Sequence, residues 1–178
     1  MKIIAIDPSL INTGIAIMNT GKLQHCYNIK TKKPKGNGLD NRLQLIAEAF
    51  HKILSITTPE VLVIESQYLG RNVQSMSKVI EVKGILKGVF VLYCLQNKLS
   101  TCQMIDINPR TAKQAIGVFK HLKRVESKLA VRDAVCRMFP SFNKFDENII
   151  DAIAIGVAGE FQLNLKNLYK KVDKVAKV

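Results

Sequence analysis

Apolar positions open the chain in two short β-rich runs, KIIAI at 2–6 and GIAIM at 14–18, separated by Pro8, Ser9, Asn12 and Gly14. Turn formers between two such runs predict a strand pair joined by a tight loop. A third strand is expected over 22–29. The lysine-rich stretch TKKPKGNG at 31–38 then reads as a mobile loop. From Leu39 the period lengthens. Leu39, Leu43, Ile46, Phe50, Ile53 and Leu54 recur at three- and four-residue spacing, an amphipathic helix with Asp40 and Asn41 at its start and Pro59 beyond its end. The run VLVI at 61–64 is too short for a helix and predicts a strand covered on both faces.

A long helix is expected over 73–96, with a broad apolar stripe reaching Tyr93. Gly84 and Gly88 lie four apart on one face of it, where a second helix could approach closely. A strand follows over 101–107, then a short helix at Pro109, because proline suits the first helical position. Another helix covers 126–138 and is closed by Pro140. The last starts near Asp146 and runs through IIDAIAIGVAG, apolar nearly all round and therefore buried. The lysine-rich tail after Asn164 reads as a fraying helix end or a flexible basic arm. This order predicts one α/β domain over 1–163, a mixed sheet with helices on both faces, and a basic tail over 164–178.

Charge changes the picture next. The chain carries 27 Lys and Arg against 14 acids, a formal net charge of +13. Such an excess favours a polyanionic partner, nucleic acid before an anionic membrane surface. Cys26, Cys94, Cys102 and Cys136 are widely spaced without a C-x-x-C pair, which argues against zinc and against a secreted disulfide framework. Asp7 ends the first apolar run too early for a signal peptide, and no segment is long and apolar enough for a bilayer. The expected location is the cytoplasm, at the nucleoid in a bacterium or in the host cytoplasm for a virus. His25, His51 and His121 make no metal-ligand spacing.

Three acids stand where a globular protein seldom puts them. Asp7 ends the first strand, Glu65 ends the buried strand at 61–64, and Asp151 sits inside the most apolar helix. Carboxylates are rarely buried unless paired or bound to metal. Each alone reads as a cap or turn former. If strands one and four are neighbours, however, Asp7 and Glu65 emerge side by side, and a last helix crossing that edge aims Asp151 between them. Such carboxylates repel one another unless a cation neutralises them. Oxygen-only ligation points to Mg²⁺ or Mn²⁺, and two such ions facing a phosphodiester could drive its hydrolysis.

The motifs then become recognisable. The segment IDPSLINTGIAIM (6–18) resembles the opening of the RuvC-type Holliday junction resolvases of the RNase H-like superfamily. VIESQYLGRNVQSMSKVIEVKGIL (63–86) looks like the second block of that family. NPRTAKQAIG (108–117) and SKLAVRDAVCRMF (127–139) resemble the third block and the helix after it, and DENIIDAIAIGVAG (146–159) the last motif. Each is weak alone, but five in the right order over most of 2–159 are specific.

The resemblance implies an RNase H-like fold with a five-stranded mixed sheet and a Mg²⁺- or Mn²⁺-dependent endonuclease that cuts four-way DNA junctions. It further implies two ions per site and a homodimer built largely through the helix at 73–96. Asp7, Glu65 and Asp151 match three metal-binding acids of the family. The fourth, one helical turn earlier, falls on Asn148, so either Asn148 ligates through its carbonyl or Glu147 or Asp146 takes its place. Lys113 and Lys128 match basic positions near the scissile phosphate, and Tyr68 an aromatic that stacks on bases at the junction centre. Arg71, Lys120, Lys123 and Arg124 are expected to face DNA. The alternatives are another RNase H-like nuclease acting on RNA or flaps, and a junction-binding protein with weak cleavage, which Asn148 keeps open. An actin-like ATPase would need Gly-rich phosphate loops and a second domain.

Overall fold

A computed structural model describes residues 1–32, 38–66, 73–119, 122–141 and 146–175. The loop expected to be mobile lies largely outside these, as do Tyr68, Arg71, Lys120 and His121. Strands β1 (Lys2–Asp7), β2 (Asn12–Asn19) and β3 (Lys22–Lys30) form an antiparallel meander. Helix α1 (Gly38–Thr57) leads to β4 (Val61–Glu65), and α2 (Val73–Gln96) to β5 (Gln103–Ile107). Three helices follow: α3 (Pro109–Ala115), α4 (Arg124–Met138) and α5 (Glu147–Val175). The sheet order is β3-β2-β1-β4-β5, with β4 parallel to both β1 and β5.

Period-two alternation splits each central strand between two cores. Ile4, Ile6, Ile15, Ile17, Leu62 and Ile64 face Phe50 and Leu54 of α1 and Leu86 and Phe90 of α2. Ile3, Ala5, Ala16, Met18, Val61 and Val63 face the other way, toward α3, α4 and α5. Helices therefore cover both faces, and the apolar runs at 2–6 and 61–64 are continuous for that reason.

The second face uses small residues to bring α5 down onto the sheet. A β-carbon on Gly156 would lie 2.5 Å from the Met18 sulfur, and one on Gly159 only 2.6 Å from the Val63 methyls. Close contact there fixes the height of α5 above the strands, and so the reach of Asp151. On the opposite face, Lys83 and Lys87 of α2 hold Asp106 of β5 at 2.6 and 2.7 Å.

Element boundaries differ from expectation by a few residues. Asn108 caps α3, its side chain accepting from the Arg110 amide at 2.8 Å, with Pro109 inside the first turn. α4 starts at Arg124 rather than 126, where the Lys123 amide donates to Glu126 at 3.2 Å. α5 runs unbroken past residues 163 and 164 to Val175, so the basic tail is helical that far. Leu163 is its last buried residue among those whose burial is described, and Asn164 to Tyr169 are exposed. No helix among the described residues is long and apolar enough to cross a membrane.

Candidate active site

The register of the sheet creates the site. β1 and β4 are parallel neighbours with Ile6 beside Ile64, so Asp7 and Glu65 leave the same sheet edge one residue later. The two side chains are within hydrogen-bonding reach of each other. Burial, then the charges of Glu65 and Asp151, push the Asp7 carboxyl up to about 9. Burial also raises Glu65, against the lowering effect of the bond from Asp7 and of Lys83 and Lys113. Both carboxyls of the pair are thus held above the usual carboxylate range.

Helix α5 adds the third acid. Asp151 is raised to about 6 by burial and by Glu65 and Glu147, with Lys113 and Lys128 pulling the other way. The three acids expected to converge thus lie within one another's electrostatic field. Among the described residues, no group of three His, Cys, Asp or Glu side chains is disposed to hold a metal ion as it stands. The donor chemistry still fits a hard divalent ion, because the sites are carboxylate oxygens whose mutual repulsion such an ion relieves.

Three residues were left open as the fourth ligand, and the structure separates them. Asp146 is engaged elsewhere: the amides of Asn12 and Asn28 donate to it at 3.0 Å each, and Lys30 lies 3.3 Å away. Those contacts hold its carboxyl below the usual range, the Asn12 bond foremost. The Asn148 side chain turns toward Asp146, with its amide nitrogen 3.4 Å from the carboxylate. Glu147 pairs with Lys128, and its charge is felt at both Asp7 and Asp151. One helical turn separates Glu147 from Asp151, which puts both on one face.

A cleft of about 490 Å³ opens over this edge, lined by Glu65, Asp151, Lys113, Arg124, Ser127 and Lys128 among others. Lys113 is aimed by its bond to Ser127 at 2.8 Å, and Ser127 is itself buried. The expected cations Lys113, Arg124 and Lys128 are therefore gathered beside the acids. Lys123 stands at the α4 cap, exposed and outside that lining.

Two supports escaped the sequence reading. Arg42 is buried, donating to Thr31 and to the Leu10 carbonyl at 2.8 Å each, and so pins the loop after Asp7. Its signal was available, since Arg42 falls between Leu39 and Ile46 on the apolar stripe of α1. Thr13 fixes the same loop, donating to the Ser9 carbonyl at 2.6 Å and accepting from the Ser9 amide at 3.2 Å.

The family model described as crossover junction endodeoxyribonuclease RuvC matches residues 3–159. The chain belongs to the RuvC family. It is 25% identical over 159 residues to the crossover junction endodeoxyribonuclease RuvC of Borrelia turicatae, covering 88% of this chain and 94% of that one. The Carboxydothermus hydrogenoformans RuvC is 24% identical over 161 residues, covering 89% and 95%. Among solved structures, the T. thermophilus RuvC in complex with Holliday junction substrate superposes with a TM-score of 0.70 at 20% identity, covering 93% of this chain and 96% of that one. The yeast mitochondrial Holliday junction resolvase Ydc2 gives 0.59 at 11% identity, covering 97% and 85%. The RuvC-type, RNase H-like fold expected from the motifs is thus the fold of the chain.

Proposed function

We propose that the chain is a structure-selective endonuclease that resolves four-way DNA junctions by Mg²⁺- or Mn²⁺-dependent phosphodiester hydrolysis. The observation that carries the proposal is the pairing of Asp7 with Glu65 at adjacent parallel strand ends, under Asp151 and beside three cations. Asp7, Glu65 and Asp151 would hold the ions, with Glu147 or Asn148 as the fourth ligand. Bound divalent ions supply charge neutralisation and an activated water. Lys113, Arg124 and Lys128 draw the phosphate in and offset the negative charge that builds on it. The Lys128–Glu147 pair ties one of those cations to the acid side of the cleft, so the two charges are positioned together.

Resolution of a junction needs two cuts related by symmetry, which a two-fold homodimer supplies. The face of α2 around Gly84 and Gly88 suits that role. A β-carbon at either glycine would meet nothing within 4 Å, and Ile80, Leu92 and Leu95 are exposed on the same helix. Sedimentation of the purified chain as a dimer supports this arrangement, and a monomer at all concentrations removes it. Tyr68 stacks on bases at the junction centre in this reading, while Arg71, Lys120 and Lys123 contact the backbone.

The test is a labelled mobile four-way junction incubated with Mg²⁺ or Mn²⁺, wild type beside Asp7→Asn. Paired symmetric nicks from wild type alone are expected. Cutting of RNA–DNA hybrid or flap in preference to the junction overturns the reading. Asn148, in the place of an acid, favours one second reading, a junction-binding protein with weak cleavage. Tight binding in Ca²⁺ without product in Mg²⁺ or Mn²⁺ would select it.

A further inference from the structure

We infer that the gap between α3 and the start of α4 is a subsite for one unstacked nucleobase beside the scissile phosphate, with Phe119 as its stacking face. The inference rests on the proposed nuclease reading and extends it to base selection.

The chain leaves α3 through a tight turn. The Gly117 amide donates to Gln114 and the Val118 amide to Lys113, with Gly117 at a φ of +84°. A left-handed backbone there favours glycine and ends α3, with Val118 still packed against the core. Phe119 is 74% exposed, the most exposed Phe or Tyr ring among the described residues. A phenyl ring held in water gains nothing in the isolated fold, since its apolar face stays hydrated. Its surroundings give it an occupant.

A cavity of about 240 Å³ is lined by Phe119, Arg110, Lys113, Gln114, Leu122 and Ser127, with Val118 behind them. Lys113, Leu122 and Ser127 also line the cleft that holds Glu65 and Asp151. The two spaces thus share a wall at Lys113, and in this proposal a strand whose phosphate reaches the acids passes its neighbouring nucleotide toward Phe119. The chemistry of the lining matches that nucleotide part by part. A flat apolar ring takes the face of a base, whatever the base. Arg110 and Lys113 take the phosphate. Gln114, exposed on α3, offers one donor and one acceptor on a single amide, the pair that distinguishes one base edge from another. A duplex cannot present a base this way, because its faces are stacked. The subsite thus selects for a nucleotide that a branched or distorted substrate has already loosened.

The test exploits a property of the sequence: the chain contains no tryptophan. Phe119→Trp places a sole indole at the subsite. Titration with a four-way junction in Ca²⁺ is expected to quench its emission. Abasic substitutions walked along the cut strand are expected to abolish that quench at one position while leaving affinity nearly unchanged. Phe119→Ala should slow junction cleavage roughly tenfold and flatten the base preference at that position, while Phe119→Tyr restores both. Unchanged thermal melting of these variants separates the effect from misfolding, as the ring is exposed. Emission that ignores the junction, or quenching that plain duplex reproduces, overturns the subsite. So does a Phe119→Ala protein with wild-type base preference that still cuts junctions. A wild-type chain that neither binds nor cuts junctions overturns the nuclease reading first, and the subsite with it.

Discussion

Gly14 of β2 lies directly beneath the first turn of α5, so that a β-carbon there would come within 2.0 Å of the Asn148 backbone oxygen. The backbone of β2 and the start of the helix that carries Asp151 are thus in contact with no side chain between them. Gly14→Ala forces the helix start away from the sheet. Expected are a destabilisation of about 1–3 kcal/mol from overpacking and a loss of cleavage of roughly a hundredfold from a displaced carboxylate. Thermal melting and junction cutting measured together check this, and a variant with wild-type activity would show that the helix start is free to shift.

That contact marks what the sequence could and could not announce. Asp7 and Glu65 were legible because continuous apolar runs at 2–6 and 61–64 declare buried strands, and a parallel neighbour then brings their ends together. Asp151 was legible because an acid in an all-round apolar helix requires a reason. The role of Gly14 was not, since the same Thr13-Gly14 pair also suits a turn, and only the packed helix reveals the close approach. Choice among Asp146, Glu147 and Asn148 was equally out of reach, because consecutive helical residues point about 100° apart and a shift of one residue changes the target. Phe119 failed for another reason. A single aromatic in a basic loop carries no period, so its exposure is not written in the spacing of apolar residues.

Asp7→Asn tests the electrostatics apart from catalysis. In the fold Asp7 holds its proton up to about 9, against 3.8 for a free side chain. Below that lower value both states are protonated and the stabilisation is fully present. As pH rises toward the higher value the unfolded chain has already released the proton, so the stabilisation is lost. In metal-free buffer at about pH 8, Asp7→Asn is therefore expected to melt above wild type, with the gap closing as pH falls toward the free value. The same variant should cut no junction while binding it normally. An identical melting profile for both proteins across that range would show that the carboxylates do not crowd one another.

Glu147 and Asn148 give opposite expectations for metal demand. Glu147→Gln removes a charge that both Asp7 and Asp151 feel, and frees Lys128 from its pair. The Mg²⁺ concentration for half-maximal cleavage should rise about tenfold. Asn148→Asp adds the acid that the family pattern has at that position and should lower it. Isothermal titration of Mn²⁺ into each variant reads the same order without turnover. A result in which neither substitution moves the ion affinity would place the fourth ligand outside this turn.

If Tyr68 stacks at the junction centre as proposed, Tyr68→Ala is expected to slow cleavage more than it weakens binding, because stacking would orient the strand while the cations supply most of the affinity. Single-turnover rates beside filter-binding constants separate the two. An equal loss in both would make Tyr68 a simple contact residue.

The basic end of α5 offers the last test. Leu163 is the final buried position among the described residues and Lys166 beyond it is exposed, while the sequence continues with Lys170, Lys171, Lys174 and Lys177. Deleting Lys166 to Val178 removes none of the described buried core, so melting temperature should change little. If the helix end lies along the DNA backbone, each lost phosphate contact lowers the slope of log affinity against log salt by about 0.9. Binding should weaken most at low salt and converge with wild type as salt rises. Parallel salt dependences for the two proteins would instead mean that these lysines face solvent, and that the +13 net charge acts on DNA chiefly through the cleft beside Lys113, Arg124 and Lys128.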